Sequence, residues 1–415
     1  MKYDVIVVGG GWAGVGAAVS AAELGKSVLV IDKSGFLGGA ACNCLVNPFM
    51  PYNITINGKK EYIAAGLFPK ILERLDELGG FHENRITFNE EILKLVFDRM
   101  MDEYGVSVLL HSTLIGVEKH ENVIKSITVY GKSGAINLEA DYFIDASGDA
   151  DLAALADCPY VIGREEDNLC QPMTLCFRLS GVDYDKAVKN RQKANELYAQ
   201  FRAEGKIKNP RENILTMPHM VDGVMHFNST RIIKKSPLNV FDLSIAEKEA
   251  REQMWELYNF LKNNCEGFEN SVLLSSASEI GVRESRMIKG KYVLTEDDIK
   301  NCSKFDDAVA SCNYEIDIHS PDGTGTTLHY FKEGTYYNIP YRCLQTENTD
   351  NLLVAGRCIS ATHEAQSSLR IMPTCCCIGQ AAGTAIAVAS DAHCSVYDAD
   401  IKKIQSILKE NGAFL

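Results

Sequence analysis

At 415 residues the chain is long enough to bury a large core and to divide into two domains. Its hydrophobic share of 46% and charged share of 23% fit an ordinary soluble globular protein. A net charge of −13 argues against nucleic acid or an anionic membrane surface as the main partner.

The first forty residues carry the strongest signal. Residues 3–8 read as a strand, Gly9-Gly10-Gly11-Trp12-Ala13-Gly14 as a glycine turn, residues 15–24 as a small-residue helix and residues 27–31 as a second strand leading to Asp32. Each part has a physical job. Gly9 permits a sharp exit from the strand, Gly11 lets a pyrophosphate approach the backbone, and Gly14 lets the helix lie close on the sheet. The helix N-terminus offers free N–H groups and the positive end of a dipole. Asp32 stands 18 residues beyond Gly14, where a carboxylate can accept hydrogen bonds from a ribose diol. A glycine-rich hairpin is the competing reading, but the run Ala17-Ala18-Val19-Ser20-Ala21-Ala22 is a helix former rather than a hairpin arm.

The chain enters this strand directly, so its start does not look like a signal peptide. With no export signal, the 14 cysteines are expected to be reduced thiols in a cytoplasm. No CxxC pair occurs, and no metal or cluster site is expected.

Further along, Lys33 to Gly39 form a glycine-rich loop, and residues 67–78 carry a helical apolar stripe. Asn89 can cap a helix running to about residue 104. Residues 106–110 read as a strand. Residues 114–118, 123–130 and 135–139 read as a small meander, followed by a buried strand at 142–146. The stretch from about 160 to 345 is less regular. It has polar-faced helices near 184–204 and 245–263 and strand-like pieces at 173–179 and 336–341. Residues 351–357 contain a last buried strand, and a loop then carries His363, Glu364 and Arg370. The helix expected from Pro373 to about residue 388 is too short to span a bilayer comfortably and reads as buried. A short amphipathic helix at about 398–410 follows.

This layout resembles the FAD-dependent oxidoreductases of the glutathione-reductase-like flavoprotein superfamily, and within it a bacterial family with a fumarate-reductase-like ending. The matching residues are the opening glycine turn with Asp32, Leu37-Gly38-Gly39, residues 143–152, Gly281-Val282-Arg283-Glu284-Ser285-Arg286, and residues 351–385. The three-strand meander also resembles the crossover of such flavoproteins.

The resemblance implies an α/β fold: a Rossmann-like FAD-binding domain from residues 1–160 and 345–395, an inserted α+β substrate domain at 161–344, and a C-terminal helix at 396–415. It implies FAD as cofactor. Gly9, Gly11 and Gly14 would line the pyrophosphate, with backbone N–H groups from Trp12 and Ala13. Asp32, with Lys33 beside it, would bind the adenosine ribose. Gly38, Gly39 and Ala40 would run beside the ribityl chain, and Leu114 would contact adenine. Ser147 and Gly148 would close over the cofactor, and Gly356 and Arg357 would lie by the pyrophosphate or ribityl chain. The helix starting at Pro373 and Thr374 would aim its N-terminus at flavin N1 and O2, where reduced flavin carries negative charge.

The same resemblance puts His363 and Arg370 over the flavin ring. A histidine can take a hydroxyl proton while hydride moves to N5, and an arginine can hold a carboxylate. The expected reaction is hydride transfer between flavin and a small polar substrate such as a sugar or hydroxy acid, with a separate electron donor or acceptor. Three alternatives stand beside it: a fumarate-reductase-type ene reductase, a thiol–disulfide oxidoreductase using Cys42 and Cys44, and a flavin-binding redox sensor. Cys375-Cys376-Cys377 cannot chelate one metal well, because adjacent helical residues point in different directions. Arg283, Arg286, Asp317, His319, His226 and Asn228 are further polar groups of the second domain, each able to line a substrate pocket or to serve as a structural partner.

Overall fold

A computed structural model of the chain describes residues 2–323 and 325–415. At its centre the opening strand Lys2–Val8 lies between two parallel neighbours, Val28–Ile31 and Gly134–Asp145. Ser107–Leu109 extends the sheet on one side and Leu352–Val354 on the other, both also parallel. The run Val5-Ile6-Val7-Val8 is buried throughout, as expected for a parallel strand covered on both faces. The protein is thus an α/β fold built on a Rossmann-like parallel sheet.

The strand Gly134–Asp145 belongs to two patterns at once. Its first residues pair antiparallel with Val123–Gly131, which pairs with Thr113–His120 to make the meander. Its last residues pair in parallel with the opening strand. Two strands were expected from the sequence, 135–139 and 142–146. They merge because alternation survives the join: Glu139 and Asp141 are exposed, while Ala140 and Tyr142 are buried.

A long helix, Met372–Ala392, packs across the opening helix Trp12–Glu23. The two meet backbone to backbone. A Cβ on Gly379 would lie 2.0 Å from the Ala13 carbonyl oxygen, and one on Gly383 would lie 2.1 Å from that of Ala17. From the other side, a Cβ on Gly16 would lie 2.5 Å from the Cys376 oxygen. The long helix is apolar and long enough to cross a membrane by length and composition, yet its apolar window is wholly buried inside the protein.

A second core forms around a four-stranded antiparallel sheet, in the order Thr216–Pro218, Met225–Phe227, Phe177–Ser180, Val272–Ser276. The rings of Phe177 and Phe227 stack there at 4.7 Å. Residues beyond this sheet, such as Ile288, Leu294, Val309, Tyr337 and Tyr341, bury themselves in the first core. A buried ion pair joins the two: Arg178, on a strand of the second sheet, holds Glu90, with Nη2 and Oε2 2.8 Å apart.

Three local differences from the sequence reading have identifiable causes. The helix expected at 184–204 is two, Tyr184–Lys189 and Arg191–Ala203, because the Asn190 side chain donates to the Lys186 carbonyl at 2.9 Å. The helix expected at 245–263 runs Val240–Asn264, since Asn239 caps it by accepting from Phe241 N–H at 2.9 Å. The loop expected to carry His363 and Glu364 is a helix, His363–Leu369, whose first turn is held by Thr362.

The backbone contact between the two helices generates the first prediction. Gly383→Val should force them apart and destabilise the protein by about 3 kcal/mol or more. Gly116→Val, at a glycine without positive φ whose Cβ would meet only the Thr128 side chain at 3.6 Å and beyond, is the control for a general glycine effect. Equal urea midpoints for the Gly383→Val variant and the parent protein would show that the crossing is not a close contact.

Candidate functional site

A cleft of about 1310 Å³, measured out to its open mouth, runs along the carboxyl ends of the parallel strands. Its lining is drawn from segments spread along most of the chain, from Val8 to Cys375. The ends of the opening strand and of Val28–Ile31 form its floor, through Val8, Gly9, Ile31 and Asp32. Thr113 and Leu114, at the start of the meander, line it, as do Arg370, Met372 and Cys375.

Two helix N-termini open into this cleft. The opening helix presents Gly11, Trp12 and Ala13, and the long closing helix presents Met372 and Cys375. Neither N-cap has a side-chain hydrogen bond, whereas Asn89, Asn239, Thr362 and Asp400 cap their helices. First-turn N–H groups have no partner within their own helix, so both ends are left ready for an acceptor-rich, anionic ligand.

The glycines divide by what surrounds them. Gly14 is needed by the protein itself, since a Cβ there would sit 1.8 Å from the Gly9 carbonyl oxygen. Gly9, at φ +100, would meet the Ala146 oxygen at 2.4 Å. Gly11 is different. Its φ of −74 and ψ of −171 suit any residue, and its Cβ would meet only Gly39 Cα, at 3.8 Å. Nothing in the protein demands glycine at position 11, but a ligand lying against that backbone would.

Asp32 is anchored rather than free. Oδ2 accepts from Gly10 N–H at 2.7 Å and Oδ1 from Ser34 N–H at 2.8 Å, so the carboxylate pins the glycine turn while each oxygen keeps a second lone pair. Lys33 is exposed and pairs with Glu279 at 3.1 Å. Ser147 is held by Asp145, a buried carboxylate that also accepts from Ala153 N–H at 2.9 Å. Burial pushes Asp145 up to about 6. Arg357 supplies positive charge, with Nη2 2.7 Å from Asp149 Oδ1. The Nε atoms of Arg357 and Arg370 are buried donors with no partner among the described residues.

Of the residues singled out from sequence, the structure brings Gly9, Gly11, Trp12, Ala13, Asp32, Lys33, Gly39 and Ala40 to the cleft wall. Leu114, Ser147, Gly148, Gly356, Arg357 and Arg370 line it too. Gly14, Gly38, Pro373, Thr374 and His363 do not. Gly38, at φ +121, packs over Cys42, and the Thr374 hydroxyl turns back to Cys312 Sγ at 3.3 Å. His363 is buried, with Nδ1 2.7 Å from Glu284 Oε1. Sequence reasoning missed Met372, Val282, Ile280 and Ser112 as lining residues. Val282 and Met372 lie in stretches that carry the family resemblance without being singled out there, Ile280 and Ser112 carry no motif, and only the folding of distant segments gathers the four.

The cysteines are free thiols. Burial pushes Cys44 and Cys375, which line the cleft, up to about 12, and raises Cys42 as well. They are held as thiols rather than activated as thiolates.

The glycine-lined wall, the two uncapped helix ends and the unpartnered arginine donors fit a dinucleotide such as FAD. Comparison with known proteins agrees. The family model for FAD dependent oxidoreductases matches residues 4–408, and the chain belongs to that family. It is an oxidoreductase with FAD as its cofactor. A soluble pyridine nucleotide transhydrogenase of Marinomonas sp. (strain MWYL1) is 37% identical over 90 residues, which is 18% of this chain. The match spans about a fifth of that relative's length, 19%. Among solved structures, a geranylgeranyl bacteriochlorophyll reductase-like protein of Thermoplasma acidophilum aligns with 99% of this chain and 83% of its own, at 14% identity and a TM-score of 0.48. The p-nitrophenol 4-monooxygenase of Pseudomonas putida DLL-E4 aligns with 99% and 81%, at 10% identity and a TM-score of 0.45.

Gly11 offers a sharp test of the cleft. Gly11→Ser adds a preferred N-cap side chain, so the FAD-free protein should melt at the same temperature or slightly higher. The added hydroxymethyl group takes up ligand space, and FAD affinity should fall about tenfold or more in fluorescence titration. Unchanged FAD affinity would remove Gly11 from the binding wall.

Proposed function

We propose that this member of the FAD dependent oxidoreductase family transfers hydride between a small polar organic substrate and the flavin, with substrate meeting cofactor at the Arg370 end of the cleft. The single observation that carries this reading is the convergence of two uncapped helix N-termini on one cleft. The parallel sheet with a three-strand meander crossover supports a place among the glutathione-reductase-like flavoproteins. When bound, FAD supplies a two-electron acceptor or donor, which leaves position and electrostatics to the protein.

The chain's own residues then divide the work. The turn from Gly9 to Ala13 cradles the diphosphate, and Asp32 holds both that turn and the adjoining ribose. Leu114 borders the adenine end. Gly39 and Ala40 leave room for the ribityl chain. Ser147, Gly148, Gly356 and Arg357 close the opposite wall. The N-terminus of the closing helix faces the flavin ring, where its dipole favours negative charge. Pro373 and Thr374 act there through the helix backbone rather than through their side chains.

Arg370 orients the substrate through the Nε–H that the protein leaves without a partner, while its Nη2 is held by Gln171 Oε1 and the Asp317 carbonyl at 3.3 and 3.2 Å. His363, buried behind the cleft lining rather than on it, is the proposed proton carrier. Glu284 engages its Nδ1, which leaves Nε2 as the nitrogen available to move a proton, in the manner of an oriented general base. The buried, protonated thiols of Cys42 and Cys44 argue against disulfide exchange as the activity.

Two measurements test this. With a donor found by screening metabolites for bleaching of the flavin bands, His363→Ala should slow single-turnover flavin reduction by about a hundredfold; unchanged kinetics would exclude His363 as the base. Replacing both Cys42 and Cys44 by Ala should leave that turnover within about twofold of the parent protein. Its abolition in a well-folded, FAD-loaded double variant would restore the thiol mechanism.

A further inference from the structure

Arg370 and His363 share a neighbour. Gln171 lies buried between them, just ahead of Met173 in the second core. Its backbone N–H donates to Glu284 Oε2 at 2.8 Å, and the other oxygen of that carboxylate, Oε1, stands 2.7 Å from His363 Nδ1. Its side-chain Oε1 accepts from Arg370 Nη2 at 3.3 Å and from the His319 backbone N–H at 3.3 Å. One residue therefore holds the carboxylate behind the histidine through its main chain and the guanidinium through its side chain.

The orientation of the Gln171 amide follows from its neighbours. A guanidinium and a backbone N–H can only donate, so the amide oxygen must face both. The Nε2 end then donates to Gln366 Oε1 at 3.3 Å, and Gln366 Nε2 donates in turn to the Arg283 carbonyl at 2.9 Å. Two amides thus run head to tail between the Arg283 carbonyl and Arg370. Gln366 and Glu284 are buried as well, and hydrogen bonds in series out of water polarise and strengthen one another. The series settles how the guanidinium is turned. Nη2 is taken up by Gln171 and by the Asp317 carbonyl at 3.2 Å, while Nε has no partner among the described residues. Gln171 is not part of the cleft wall, so it acts only through the residues it holds.

We propose that Gln171 is a positioning residue that sets Arg370 and the Glu284–His363 pair in one register, so that a substrate seated on the arginine meets the histidine. The inference rests on the reading that Arg370 orients the substrate and His363 moves its proton. It adds the residue that ties those two roles together.

Gln171→Met keeps the side-chain length and the backbone N–H but removes the amide, and Gln171→Glu restores an acceptor for Arg370. The first readout needs no substrate. Phenylglyoxal closes a ring across Nη1 and Nη2 of an arginine, so a held Nη2 slows it, and Arg370 keeps 14% of its side-chain surface exposed to the reagent. In FAD-loaded protein, mass spectrometry of the peptide containing Arg370 should show labelling about fivefold faster or more in Gln171→Met, and near the parent rate in Gln171→Glu. Arg178, buried and paired with Glu90, is the reference in each sample and should keep its parent rate.

The second readout is single-turnover flavin reduction by the donor found in the bleaching screen. Gln171→Met should raise the half-saturating donor concentration about tenfold and keep the limiting rate within about threefold, since the main-chain bond to Glu284 remains. Gln171→Glu should recover part of the loss. If Gln171→Met does not fold, Gln366→Met breaks the amide series one step earlier and carries both readouts in the same direction. Parent-like labelling of Arg370 in the Met variant, or equal acceleration of Arg178, overturns the positioning role and leaves the proposed function intact. Faster labelling with unchanged half-saturation overturns the link to substrate. Accelerated labelling beside parent-like turnover in His363→Ala strikes the proposed function and upholds the hold on Arg370.

Discussion

The backbone contact between the opening and closing helices is the constraint on which the rest depends. Helices usually stand 8–10 Å apart, at a distance set by the side chains between them. Here Gly16, Gly379 and Gly383 remove those side chains where the helices cross. Close approach brings two N-termini, distant in the chain, to the same cleft. One then faces the proposed diphosphate position and the other the proposed flavin position. A single packing relation thus aims two dipoles at one cleft, and the uncapped first turns make both dipoles usable.

Electrostatics in this protein are local rather than global. The chain is strongly acidic overall, yet its cleft gathers Arg357 and Arg370 beside helix N-termini. An anionic ligand responds to the field within a Debye length or so of its site, about 8 Å at physiological ionic strength, more than to the sum over the surface. The acidic exterior and the cationic interior therefore describe two different encounters, one with bulk partners and one with the bound ligand.

The parts of this molecule legible in the sequence are those written in contiguous residues. The glycine turn, Asp32, the Asn89 cap and the buried stripe of Leu67–Glu77 are local patterns, and the structure contains each of them as an element. What was not legible depends on residues far apart. The crossing of Gly379 over Ala13 and the pairing of Glu284 with His363 leave no periodic trace. Intermediate cases turned on one side chain: Asn190 breaks a helix that apolar spacing alone would continue, and Thr362 starts one that was expected as a loop.

The order of segments along the chain has a consequence for synthesis. The strand Leu352–Val354 and the helix Met372–Ala392 complete the sheet and the cleft begun by the first thirty-two residues. While a ribosome is still making the middle of the polypeptide, the opening turn has emerged without the partner that will cover it. The second core, whose residues fall between Leu45 and Val282, can assemble in that interval. The cleft is thus complete only once residues 352–392 have emerged, and a chain still being made must keep its unfinished sheet edge from other molecules until then.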